Sequence, residues 1–143
     1  LSEPHKRGIN TTLTLLDEAL NELEQWGHGR EIRSVLYMET NTLSPEQRKA
    51  ILSEVKNMRE RLLELRNTLH LEGSTRDAVR TIRGQCSSVW VNLSELQGRH
   101  LSRYGEPPLG LAEYLEPRIE ELIGHMRYIS RLVEGVLMTD QPS

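Results

Sequence analysis

Phenylalanine is absent from the 143 residues, and Trp, Tyr and Cys number only two, four and one. A core without Phe has to be aliphatic, carried by Leu, Ile, Val and Met. The single cysteine, Cys86, excludes an internal disulfide and any multi-cysteine metal centre. A lone thiol fits a reducing compartment, so the cytoplasm is the expected location. Long apolar runs are missing as well. The longest aliphatic or aromatic stretch is Val35-Leu36-Tyr37-Met38, far short of the roughly 20 residues that cross a bilayer, and no membrane association is expected. No signal-peptide pattern is visible, and a chain that opens at Leu1 rather than Met fits either a trimmed sequence or a piece of a larger protein. Basic excess is lacking: 18 Lys and Arg stand against 21 Asp and Glu, a net charge of −3. Bulk electrostatic attraction to nucleic acid is therefore not expected.

What is present is helical amphipathicity. Hydrophobic residues make up 36% and charged residues 27%, which suits long helices that bury one stripe each. Ser2-Glu3-Pro4 reads as a helix start, and Ile9, Leu13, Leu16, Leu20 and Leu23 follow at alternating four and three. Gly27-His28-Gly29 ends that helix, at about residue 26. Residues 30–40 read as a short accessory helix with Ile32, Val35, Leu36 and Glu39 on one face; their β-branched content also suits a strand, but no partner strand is evident elsewhere. Ser44-Pro45-Glu46-Gln47 is a capping box that opens a helix over about 45–70, with Ile51, Val55, Met58, Leu62, Leu65 and Leu69 in one stripe. Ser74 or Thr75 is the expected cap of a helix over about 75–104, with Val79, Ile82, Cys86, Val89, Leu93 and Leu96 in its stripe. After Gly105-Glu106-Pro107-Pro108, a helix over about 110–138 carries Leu115, Ile119, Leu122, Met126, Ile129, Val133 and Val136, with Pro117 marking a kink or a fresh start.

The stripes mirror one another. Residues 51–65 pair with 93–79 about Glu72-Gly73, and residues 79–96 pair with 136–119 about Pro107-Pro108. The layers so defined are Leu65/Val79/Val136, Leu62/Ile82/Val133, Met58/Cys86/Ile129, Val55/Val89/Met126 and Ile51/Leu93/Leu122. Periodicity, turn chemistry and pairing agree. They predict an all-α fold, one domain over 1–143, in which four long antiparallel-packed helices form a coiled-coil-like four-helix bundle with one short accessory helix. The direction of the first helix is open, because its linker permits either.

Those layers contain no carboxylate and no histidine, so a carboxylate-bridged metal centre has nowhere to form, and no cofactor or metal is expected. Glu121 and His125, four apart on one helix face, read as a surface ion pair. Cys86 sits mid-stripe as a small hydrophobe. His100 continues the stripe to one end of the bundle, where it, Tyr104 and Ser44 would form a small polar end pocket, or simply a partly wet end layer. Fifteen Arg against three Lys is a skewed inventory. Arg76, Arg80 and Arg83 lie along one side of the fourth segment; a solvated, salt-bridged face explains them, with Glu60, Glu64 and Glu134 expected nearby, and the alternative is an anion or nucleic-acid site. Arg76, Arg83, Trp90 and Gln97 share one flanking stripe, and Trp with Arg is the pairing most enriched at binding hot spots. Arg76, Arg83 and Trp90 are thus the candidate partner-binding residues, unless another helix covers Trp90 as core.

Arg30-Glu31-Ile32-Arg33-Ser34-Val35-Leu36 resembles the phosphoacceptor box of sensor histidine kinases, His-Glu-Ile-Arg-Thr-Pro-Leu. Across these seven residues the family's phosphorylated His corresponds to Arg30 and its Pro to Val35, and His28 stands two residues out of register. The resemblance implies a dimerisation module that lacks the acceptor itself. No constellation for acid-base or nucleophilic catalysis is visible. The expectation is a non-enzymatic helical module for oligomerisation or protein-partner binding, with a two-fold dimer favoured because Leu52, Leu63, Ile123, Leu132 and Leu137 lie outside the main seam. The alternative is a signalling or regulatory bundle of phosphotransfer or dimerisation type, with His125 or His28 as acceptor.

Overall fold

The structure, a computed structural model, describes residues 1–135. The fold is all-α in its long elements: α1 (Glu3–Gly27), α2 (Pro45–Leu69), α3 (Ala78–Ser94) and α4 (Leu111–Glu134), with α1 packed on α2 and α3 on α4. The chain divides into two compact units, Leu1–Ser74 and a second that begins at Thr75. Val136 and Leu137, and the end of the last helix expected near residue 138, lie outside the described residues.

In the first unit, Ser2 caps α1 by accepting from the His5 N–H. Ser44 and Gln47 form the complete capping box that opens α2, with Pro45 in the first turn where its missing N–H is harmless. The two helices run antiparallel, which settles the direction the sequence leaves open. Gly27 lies against Leu52, while Glu24 and Asn21, further back along α1, bond to Arg59, further on along α2. The seam follows the expected stripes only in part, for Leu16, Leu23 and Leu65 are exposed and Leu52, outside the stripe, is half-buried. Leu20 and Val55 are buried, and Ile9, Leu13, Ile51, Met58 and Leu62 are half-buried. The helices approach closely at Gly27: a Cβ there would stand 2.7 Å from Leu52 Cδ2 and 2.8 Å from its Cγ.

The segment between them is not the expected accessory helix. It is a β-hairpin, β1 (Ile32–Arg33) antiparallel to β2 (Met38–Glu39), in which Ile32 faces Glu39 and Arg33 faces Met38. The partner strand lies within the segment itself, and the β-branched content of the segment is satisfied locally. Gly29, at φ +87, turns the chain out of α1 into it.

In the second unit, α3 opens later than expected. Asp77, not Ser74 or Thr75, is its N-cap, and accepts from the Val79 N–H at 3.0 Å. It also closes earlier, at Ser94. Gly98, at φ +53, adopts a conformation no α-helix contains, and residues Gly98–Tyr104 form a 3-10 segment whose Leu101 is buried and which packs on α4. The α3–α4 pair is antiparallel, as expected. Arg83 meets Glu134, Trp90 meets Arg127, and Gln97 meets Glu120, a register about half a turn from that read in the sequence. α4 continues without interruption through Pro117, rather than restarting there.

The buried face of α4 differs from the expected stripe. Ile119 and Ile123 are buried and Met126, Ser130 and Val133 half-buried, whereas Leu122 is 50% and Ile129 41% exposed. The expectation that Ile129 is largely buried is therefore corrected. The two stripes share residues 119, 126 and 133, and the sequence has apolar side chains at both Leu122 and Ile123, so spacing alone leaves the helix free to rotate by about one residue.

Leu20, fully buried, and Gly27, pressed against Leu52, anchor the first pair. Leu20→Ala is expected to destabilise by about 2–5 kcal/mol and Gly27→Ala by about 1–3 kcal/mol through overpacking, both read as a shift in the urea midpoint. The same interface carries one pH-dependent contact. The Arg59 guanidinium hydrogen-bonds Glu24 and holds its carboxyl below the usual value, with a lesser contribution from the charge of His28. A depressed carboxyl contributes stability that is present above its unfolded pKa and fades as pH falls through the folded one. Glu24→Gln should thus be less stable than the parent at neutral pH, and the two denaturation curves should converge in acid.

Candidate functional site

Two strands of two residues cannot hold together alone, and the hairpin is kept in place by a polar clamp at the end of α1. The Arg30 guanidinium reaches Glu39 Oε2 at 3.1 Å, Glu22 Oε1 at 3.3 Å and Gln25 Oε1 at 2.8 Å, and lies 5.4 Å from the centre of the Trp26 ring. It therefore ties β2 to the last turns of α1 through both charge and cation–π attraction. Asn41 closes the other side: its Nδ2 donates to the Trp26 carbonyl at 2.8 Å, and its Oδ1 accepts from the Leu43 N–H at 3.1 Å. The Ser34 N–H donates to the Tyr37 carbonyl at 2.9 Å, which closes the turn.

What this clamp presents is apolar. Val35 is 93%, Leu36 95%, Tyr37 57% and Met38 67% exposed. Four consecutive large apolar side chains are thus fixed on a rigid hairpin and turned to solvent, a contiguous patch of the kind that marks interaction surfaces. The sequence singles out this run as the longest apolar stretch, but a helical reading of residues 30–40 distributes it around an axis rather than gathering it at a tip. The signals that could have found it are the flanking β-branched residues and the glycines of Gly27-His28-Gly29. The seven residues that resemble the kinase phosphoacceptor box all lie in this hairpin and its approach.

The residues proposed from the sequence are divided between the two units. Trp90, 42% exposed, borders a shallow groove of about 360 Å³ on the α3–α4 pair, lined also by Cys86, Ser87, Met126, Arg127 and Ser130. The cation beside its ring is Arg127 on α4, at 6.0 Å. Arg83 shares α3 with Trp90 and pairs with Glu134 at 3.3 Å. Arg76 and Gln97 lie outside α3: Arg76 precedes the Asp77 cap, and Gln97 leads into the 3-10 segment while still meeting Glu120 on α4. Ser44 belongs to the first unit, where its hydroxyl is engaged in the cap of α2. His100 and Tyr104 belong to the 3-10 segment of the second unit, His100 half-buried and Tyr104 exposed.

His125 Nε2 lies 3.8 Å from Glu121 Oε1 with both side chains largely exposed, a surface contact that becomes an ion pair when the imidazole is protonated. Among the described residues no three His, Cys, Asp or Glu side chains converge as a metal site would require, and no helix is long and apolar enough to cross a membrane. Comparison of the chain with family models, with curated proteins and with solved structures finds no match.

Arg30 is the residue on which the geometry of the tip depends. Arg30→Ala is expected to loosen the hairpin while the α1–α2 seam stays intact. Hydrogen exchange at the Ser34 N–H should accelerate about tenfold or more, equivalent to roughly 1.4 kcal/mol of lost local protection, with the amides around Leu20 and Val55 unchanged.

Proposed function

We propose that this chain is a non-enzymatic helical module that acts by binding protein, either as an oligomer or on a distinct partner. The observation that carries this reading is the Val35-Leu36-Tyr37-Met38 tip: exposing four large apolar side chains on a clamped hairpin is unfavourable in water unless something covers them. The groove beside Trp90 and Arg127 lends further support, since an aromatic ring under a guanidinium is an amphipathic anchor of the sort that dominates interfaces. The lone Cys86 thiol, buried and unpaired, fits a reducing compartment such as the cytoplasm.

A phosphotransfer role has less to support it. His125 is exposed at mid-helix, but its neighbour within reach is the Glu121 carboxylate, and an anion beside the acceptor repels an incoming phosphoryl group. The Arg-rich composition does not favour a nucleic-acid surface either, because Arg30, Arg59, Arg61, Arg83 and Arg103 each pair with a carboxylate.

A photo-crosslinking residue at position 36 tests this reading against the same residue at exposed Glu54 on α2. Position 36 should give a discrete protein adduct, self or other, and the purified pair should reassociate and fail to do so with Leu36→Ser. Equal labelling at the two positions would refute a docking role for the tip.

A further inference from the structure

The groove beside Trp90 lies along a side of the α3–α4 pair that three cross-helix contacts mark out: Arg83 with Glu134, Trp90 with Arg127 and Gln97 with Glu120. On both strands of the pair these residues recur every two turns, so they share one side. The charge along it is unbalanced. From Gly84 to Ser94 the chain carries no charged residue, and the lining of the groove holds a single one, Arg127. Arg131 follows one turn further along α4, and Arg80 precedes Arg83 by one turn on α3. Among the described residues Arg80, Arg127 and Arg131 meet no carboxylate, whereas Glu134 is engaged by Arg83 and Glu120 accepts from Gln97 two turns away from Arg127. The Trp90 indole N–H and the Ser87 and Ser130 hydroxyls in the groove likewise have no hydrogen-bond partner among the described residues.

Resting on the reading of this chain as a protein-binding module, we infer that this side docks an acidic amphipathic helix of a distinct protein partner. An apolar side chain of that helix sits in the groove against Trp90 and Met126, and carboxylates one turn apart on it meet Arg127 and Arg131. Charge complementarity selects this occupant: the unspent groups of this side are cations and hydrogen-bond donors, and the one carboxylate beside the groove's cations, Glu134, is already taken by Arg83. Shape agrees with charge. The groove runs between two antiparallel helices, so a third helix laid along it nests against both, with its anchor side chain in the cavity of about 360 Å³. Because the groove is shallow, a small molecule seated in it keeps much of its surface in water, whereas a helix covers the rim as well as the floor. A second copy meeting this side through the same side is opposed by its charge, since a two-fold contact sets guanidinium against guanidinium.

A phage-displayed library of random helix-length peptides, panned on the parent chain and counter-selected on Arg127→Glu, tests the inference. Arg127 is exposed, so the substitution leaves the α3–α4 seam intact, and circular dichroism verifies it. The peptides that survive are expected to be rich in Asp and Glu beside a large apolar residue. A synthetic one should shift and protect the emission of Trp90 in a Trp26→Phe background. Its affinity should fall about tenfold or more in Arg127→Glu and weaken with rising salt. Replacing its Glu residues by Lys should restore binding to that variant and abolish binding to the parent. An empty selection, neutral or basic peptides, or binding indifferent to Arg127→Glu would each overturn the inference. So would an oligothymidylate that displaces the peptide and quenches Trp90 more tightly, which assigns this side to nucleic acid instead. If the groove fails while the crosslinker at position 36 still captures a defined protein, the docking reading stands and the groove is not its site; if both fail, the docking reading falls as well.

Discussion

A helix packed on one neighbour can bury only one stripe of its surface, and every other property of this protein follows from how each unit meets that constraint. Among the described residues only Leu20, Val55, Cys86, Leu101, Ile119 and Ile123 are buried apolar side chains. None is aromatic. Leu15, Leu63, Val91, Leu122, Ile129 and Leu132 keep two-fifths or more of their surface in water. Stability drawn from so few buried groups is sensitive to each contact in the seam, which explains why Gly27 is needed where α1 meets Leu52 and why the Glu24–Arg59 pair sits at the edge of that same seam.

The same constraint explains the division of labour between apolar and charged side chains. Where the seam ends, polar groups take over the task of fixing the backbone. Arg30 and Asn41 position the hairpin through charge and hydrogen bonds, not through a core of its own. In the second unit, Glu116 and Glu120 receive the Gly98 N–H and the Gln97 amide, and so hold the chain where it leaves α3. The apolar residues thereby released from structural duty lie at positions 35 to 38 and around Trp90.

How far this could be read in advance differs by element. The first two long helices and their caps were legible because periodicity and cap chemistry are local: Ser44 with Gln47, Pro45, and the stripe from Ile51 to Leu69 all lie within one segment, whereas the cap of α3 fell at Asp77. The antiparallel α3–α4 pairing was legible because two stripes on either side of Pro107-Pro108 mirror each other. The rotation of α4 was not, because Leu122 and Ile123 are equally apolar and only the packed neighbour decides between them. The candidate site was half legible. Trp90 stood out by residue type, but its cation is Arg127, from a helix that no heptad of α3 contains.

By itself, the sequence determined the all-α character, the number of long helices, the approximate extent of α1 and α2, and the location of its longest apolar run, since these depend on spacing along the chain. Tertiary structure alone decided that residues 30–41 form a hairpin, that α3 gives way to a 3-10 segment, and that Val35 to Met38 face solvent. The reason is physical: a short apolar, β-branched segment lies near the balance between helix and strand. Contacts from outside the segment, Glu22, Gln25 and Trp26 on the preceding helix acting on Arg30 and Asn41, tip that balance.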